Sequence, residues 1–263
     1  MRPARIGAVS YLNTKPLVRG LDERPDLFAV RFDVPSVCAS LLHEGRVDVG
    51  LIPAIEYLRG DYAIVPDVAI GSDGAVDSVA VFTTVPIDRV RSIALDISSR
   101  TSVTLTRILC ARLWGIAPVF TPAEPDLRLM LAAADAALVI GDKALEIDPA
   151  RFGAIKVDLG EAWQEMTALP FVYAAWVGRA GAVDPEQVAA LQAARQRGER
   201  EVATIAREVS NGDRRVEQQT LAYLRDTLRY GLGDRELAGL ERFHALAVEL
   251  GLAPATRPLT FFA

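Results

Sequence analysis

Along the first third of the chain, short runs of β-branched and apolar residues alternate with stretches whose apolar positions recur at helical spacing. Residues 5–9, 28–32 and 47–52 read as strands, and 16–21, 36–44 and 54–58 as helices. Such alternation predicts a mostly parallel sheet covered by helices, because parallel neighbours need a crossover long enough to hold one. From Ser92 the pattern restarts, with strands at 92–95, 118–120 and 137–140 and helices at 101–114 and 126–133. The restart predicts a second α/β lobe. Two units echo each other across it: Leu42-x-x-Gly45-x-x-Asp48-x-x-Leu51-Ile52 ahead of Pro53, and Leu131-x-x-x-Asp135-x-x-Leu138-Val139 ahead of Gly141. The apolar run 170–176 reads as a strand returning to the first lobe.

The last third is helical. Asp184-Pro185-Glu186 is a strong helix start, and Val188, Leu191, Val202, Ile205 and Val209 continue one apolar stripe. A second helix carries Leu221, Leu224 and Leu228 and breaks at Gly231. A third, capped by Asp234, turns Leu237, Leu240, Phe243, Ala247 and Leu250 inward. The expected architecture is α/β and two-lobed. Residues 1–85 with 172–263 form a discontinuous first lobe carrying the C-terminal helices, residues 86–171 form the second, and a ligand cleft lies between them.

Composition narrows the partners. The chain has 263 residues, 51% hydrophobic and 24% charged, with a net charge of −5 and both signs scattered. No basic stretch interleaved with aromatics suggests a nucleic-acid surface, and no run approaches the ~20 apolar residues that span a bilayer. The opening Met1-Arg2-Pro3-Ala4-Arg5 has no apolar core of an export signal, so the expected location is the cytoplasm. Cys38 and Cys110, alone in apolar segments, read as buried thiols rather than metal ligands or a disulfide. His43 and His244, the two histidines, fall on predicted helices away from the strand ends. There is no G-x-S-x-G, P-loop or G-x-G-x-x-G, so nucleophilic, metal-assisted and nucleotide-dependent mechanisms lack their usual parts, and no metal or cofactor is expected.

Candidate chemistry sits where strands end, because ligands of open α/β sheets bind at the carboxyl edge. After the first strand, Ser10, Asn13 and Thr14 offer neutral donors and acceptors, or else an ordinary helix cap. Asp96-Ile97-Ser98-Ser99-Arg100-Thr101-Ser102 holds the same place in the second lobe. There a helix start, hydroxyls and a guanidinium suit a carboxylate or phosphate. Ser36, after Pro35, is a weaker version of the same device. Gly141 at a strand end permits close backbone approach, and Asp142 after it can orient a hydroxyl or a proton, or simply cap a helix. Trp163 and Phe171 read either as walls for a flat ring or as core.

The run Arg5-Ile6-Gly7-Ala8-Val9-Ser10-Tyr11-Leu12-Asn13-Thr14-Lys15-Pro16-Leu17 resembles the opening signature of the chorismate dehydratases. So do Val47-Asp48-Val49-Gly50-Leu51-Ile52-Pro53, Thr101-Ser102 and the stretch from Leu169 to Trp176; the likeness covers residues 1 to about 180. The resemblance implies a type II periplasmic-binding-protein-like fold. It also implies loss of water from chorismate, giving 3-[(1-carboxyvinyl)oxy]benzoate in the futalosine route to menaquinone. A sister enzyme, the 1,4-dihydroxy-6-naphthoate synthase, is similar in fold and carries a catalytic His in an Ile-His-Glu-like turn, where this chain has Ile140-Gly141-Asp142. That difference favours the dehydratase over the sister enzyme, with a cytosolic small-anion sensor as the remaining rival. On this resemblance Ser99, Thr101 and Ser102, with Arg100 beside them, hold one carboxylate. Ser10, Asn13 and Ser36 face the rest of the substrate, Asn13 closest to the reacting centre. The base is either the substrate's own enolpyruvyl carboxylate or Asp142. The resemblance assigns no oligomeric state.

Overall fold

Two five-stranded sheets carry the chain, and both follow one plan. In the computed structural model, which describes residues 2–263, β1 (Ala4–Val9) lies between β2 (Phe28–Asp33) and β3 (Val49–Pro53), all parallel. β10 (Phe171–Arg179) runs antiparallel beside β3, and β4 (Tyr62–Ser72) antiparallel beside β10. The second sheet repeats this. β6 (Ser92–Asp96) lies between β7 (Val119–Ala123) and β8 (Ala136–Ile140), followed by antiparallel β5 (Val79–Thr83) and β9 (Ile155–Asp158). The two echoing sequence units supply the third parallel strand of each sheet. Every residue of β3, β5 and β8 is buried, as expected of central strands covered on both faces.

Strand order reverses beside β1 in one sheet and beside β6 in the other, so the turns after these strands open into a crevice. The chain crosses between sheets twice, after β4 and before β10. The first crossing comes earlier than the expected boundary at residue 85. β5 pairs with β8 and β9, so the second lobe takes the chain by Val79. Asp158 secures this crossing by accepting hydrogen bonds from the N–H groups of Val76, Asp77, Gly160 and Glu161.

Helices α1 (Pro35–His43), α2 (Arg100–Arg112) and α3 (Leu127–Ala133) form where helical spacing predicts them. The helices expected at 16–21 and 54–58 are instead 3-10 turns, Leu12–Val18 and Ala54–Arg59. Pro16 has no N–H to give an α-helical ladder, and both segments are too short to recover that loss. A short α4 (Asp142–Glu146) and α5 (Leu159–Thr167) complete the second half. Trp163 and Phe171 are core: their rings meet edge-on at 5.1 Å, and Phe171 meets Phe243 at 5.0 Å. In the tail, the single stripe from Val188 to Val209 divides at Glu201 into α6 (Pro185–Arg200) and α7 (Val202–Ser210). α8 (Arg214–Ala222) loosens into a π turn at Tyr223–Thr227, ending before the expected break at Gly231. Gly233, rather than Asp234, precedes the first turn of α9 (Asp234–Glu249), its N–H donating to the Glu236 carboxylate. α6 packs on β4 and on the turn after β1, and α9 on β10, so the tail clamps the first lobe.

His244 on α9 is 2% exposed, stacks on Tyr57 and bonds the Ala54 carbonyl through Nε2 at 3.0 Å. Burial depresses its pKa to about 4, against the opposing bond from Ala54. The unfolded chain therefore takes up this proton near pH 6.5, while the folded protein refuses it until about pH 4. Stability is complete above pH 6.5 and falls through that window, by about 3 kcal/mol. Denaturant titrations at pH 7 and pH 4.5 are expected to show that loss, and His244→Gln to remove most of the dependence. An unchanged slope in the variant would reassign it to other groups.

Candidate active site

The turns after β1, β6 and β8 meet around a narrow interlobe cavity of about 50 Å³. Its apolar walls come from both halves, among them Val9, Pro35, Pro53, Val79 and Ile140. Its polar groups are Tyr11, Asn13, Ser78, Ser99, Ser102 and Tyr173, with the backbone of Gly141; among the described residues no charged side chain lines it. Any anion bound there is held by neutral donors and by the N-terminus of α2.

Each donor has a local cause. Ser99 is the N-cap of α2: its Oγ accepts from the Ser102 N–H at 3.3 Å and lies 2.9 Å from the Ser102 hydroxyl. One proton of this hydroxyl pair is committed between the two oxygens, leaving the other and the free N–H groups of the first turn for a ligand. Asn13 Oδ1 accepts from the Thr14 hydroxyl at 3.4 Å, which turns the amide N–H groups away from Thr14. Gly141 has φ +70, and a Cβ there would sit 2.9 Å from the Tyr11 ring, so glycine lets the two lobes close on each other.

Of the residues read from sequence, Asn13, Ser99, Ser102 and Gly141 line the cavity. The others serve elsewhere. The exposed Ser10 continues the β1–β2 ladder through its N–H to Asp33, and Thr14 is buried behind Asn13. Ser36, Arg100, Thr101 and Asp142 stitch the lobes together. The Ser36 N–H donates to the Ser98 carbonyl, the Ile55 N–H to Thr101 Oγ1, and the Leu12 N–H to the Asp142 carboxylate at 3.0 Å. Arg100 reaches Glu56 at 2.7 Å and Ser40 at 3.3 Å. Burial raises the Asp142 pKa, against the bond from Leu12, yet the carboxylate points across the seam rather than into the cavity. Asp96, also raised by burial, braces its own turn through Ser98 and the Ile140 N–H.

Tyr11, Ser78, Tyr173 and Tyr223 escaped the sequence reading. Tyr11 donates to Ser98 at 3.3 Å, and the Tyr223 hydroxyl donates to Ser78 Oγ at 2.8 Å from the π turn. Tyr11 and Tyr173 stand inside signature stretches and were accessible there; Ser78 sits in an unpatterned crossover. Tyr223, flanked by leucines, reads as core. Burial raises the pKa of the Tyr223 hydroxyl above the usual phenol range, against its hydrogen bonding with Ser78 and Asn13. Because Ser78 Oγ accepts from Tyr223, its own proton is left free for the cavity.

This fold and this site define a class: a two-lobed, periplasmic-binding-protein-like α/β protein with a small cavity lined by neutral donors between its lobes. Among solved structures, the alkanesulfonate-binding protein SsuA from Xanthomonas axonopodis pv. citri, bound to MOPS, superposes with a TM-score of 0.68. It shares 16% identity, over 97% of this chain and 95% of that one. A protein from Archaeoglobus fulgidus gives a TM-score of 0.69 at 16% identity, over 95% and 98%. In sequence, the profile of the family described as menaquinone biosynthesis matches residues 4–249. The chorismate dehydratase of Thermus thermophilus is 32% identical over 98% of this chain and 100% of its own length. That of Campylobacter jejuni is 29% identical over 64% of each. The chain belongs to this menaquinone-biosynthesis family, with the chorismate dehydratases.

Proposed function

We propose that the protein dehydrates chorismate to 3-[(1-carboxyvinyl)oxy]benzoate, in the cytoplasm, on the futalosine route to menaquinone. The observation that carries the reading is the cavity lining, where neutral donors from both lobes converge with no charged side chain among them. Chorismate is a dianion. The ring carbon bearing the ether loses a proton, the neighbouring hydroxyl leaves as water, and the ring becomes aromatic. Aromatisation drives the step and the conjugated ring carboxylate acidifies the proton, so the protein has chiefly to position the substrate and exclude water.

In this reading Ser99 and Ser102, at the α2 N-terminus, hold one carboxylate, and Asn13 with Ser78 faces the reacting carbons. The substrate's enolpyruvyl carboxylate takes the proton and passes it to the departing hydroxyl, which leaves as water. The engagement of Asp142 with Leu12 supports that choice over Asp142 as base. Incubation with chorismate, followed by chromatography and mass spectrometry, is expected to give the benzoate product. Unchanged chorismate would leave only a binding protein. Asp142→Asn is expected to retain turnover within about tenfold, since a lone general base is worth about 10²–10⁴-fold; a greater loss would restore Asp142 as the base.

Tyr223 is a positioning residue in the same scheme. Tyr223→Phe removes the donor to Ser78 and is expected to lower kcat about tenfold with KM little changed, the signature of an interaction felt in the transition state. A rise in KM alone would mean that the hydroxyl only packs.

A further inference from the structure

A second depression of about 370 Å³ adjoins the catalytic cavity at Ser99 and opens between the Ala54–Arg59 turn and the outer face of α2. On that face Arg100, Thr104 and Arg107 line up at helical spacing, and Arg59 approaches from the first lobe. Among the described residues Glu56 is the one carboxylate on the lining. It is fully buried and already engaged by Arg100 at 2.7 Å, by Arg59 at 3.3 Å and by His43 at 2.7 Å. Three guanidinium groups therefore face a single negative charge.

Arg107 has no acidic partner within 4.0 Å among the described residues, and its Nε is buried without a hydrogen-bond acceptor. Its guanidinium lies over the Phe120 ring, 4.8 Å from the ring centre. A carboxylate in the groove would meet the terminal nitrogens of this guanidinium, a planar fork suited to bidentate pairing. Apart from Ser99, the remaining lining is apolar, including Leu58, Ile97 and Val103.

We infer that this groove is a second ligand site, for a small carboxylate with an apolar ring or chain, held by Arg107 and Arg59. Its walls come from both lobes, so it is complete only when they are closed, and its occupant favours the closed arrangement. The inference does not depend on the reaction proposed above, because binding is read without turnover.

Benzoate, titrated calorimetrically into the full-length protein, is the probe. Arg107→Met keeps the apolar stem and removes the fork. It is expected to reduce the benzoate stoichiometry by one site, or to weaken that site about tenfold or more, the value of one charge-assisted hydrogen bond. Chorismate turnover without benzoate should stay within about twofold of the wild type. Arg59→Gln, at the exposed rim, should weaken the same site to a smaller extent, which keeps the test valid if Arg107→Met fails to fold. Identical benzoate isotherms in the wild type and both variants would overturn the assignment. So would inorganic phosphate binding as tightly as benzoate, since phosphate makes no use of the apolar wall.

Discussion

Asn13→Ala is expected to lower chorismate turnover by about 10²–10³-fold, the cost of removing one preorganised donor from a site that stabilises developing negative charge. Asn13 follows β1 at the switch point of the first sheet, and Thr14 fixes its carbonyl oxygen, so its N–H groups are committed before substrate arrives. Among the described residues no other side-chain amide lines the cavity; its other polar side chains are hydroxyls. Asn13→Asp is expected to be worse at neutral pH, because it sets a carboxylate against a dianion while keeping the shape. The two variants should fold with unchanged circular dichroism and differ in kcat/KM. A fall of less than about threefold in Asn13→Ala, beneath any transition-state donor, would remove Asn13 from the reacting centre.

The turns after β1, β6 and β8 were legible because their signals are local: a hydroxyl or amide cap, a glycine, and a position just beyond an apolar strand. What local signals do not reveal is which of several adjacent polar residues points inward. Successive residues at the α2 start differ by about 100° around the helix. Ser99 and Ser102 therefore face the cavity while Arg100 and Thr101 turn to the opposite lobe. Only the approach of the lobes decides that division. The same applies to Asp142, whose partner Leu12 is 130 residues away in sequence, and to Tyr223, which meets Ser78 across 145. β5 was missed for a related reason. Buried on both faces, it shows no alternation, and its pairing with β8 is what assigns it to the second lobe.

The interlobe bonds also explain why residues read as substrate ligands resemble ligands. A closing cleft needs polar groups on its rim to replace the water it expels, and serine, threonine, arginine and aspartate serve that purpose as well as they serve a bound anion. Arg100 with Glu56, Thr101 with Ile55 and Asp142 with Leu12 form such a rim around the uncharged interior. Charge is spent on closure, and neutral donors are kept for the substrate.

The position of the Asn13 turn depends in addition on a residue with no side chain. Gly198 lies in α6 against that turn, and a Cβ there would fall 2.0 Å from the Pro16 carbonyl oxygen and 2.4 Å from its Cα. Both atoms are backbone, so no rotamer change relieves the clash; the helix or the turn must move. Gly198→Ala is expected to destabilise the protein by about 3 kcal/mol, the upper range for overpacking, and to lower the melting temperature by roughly 6–12 °C. It should also reduce kcat/KM by about tenfold or more, because displacements well under 1 Å at a positioning group are felt in the rate. Gly181→Ala is the matched control. With φ +73 and open space around it, it should cost about 1 kcal/mol through backbone strain alone and leave kinetics untouched. If the two variants behave alike in both melting temperature and turnover, α6 does not hold the catalytic turn in place, and the positioning of Asn13 must come from the first sheet alone.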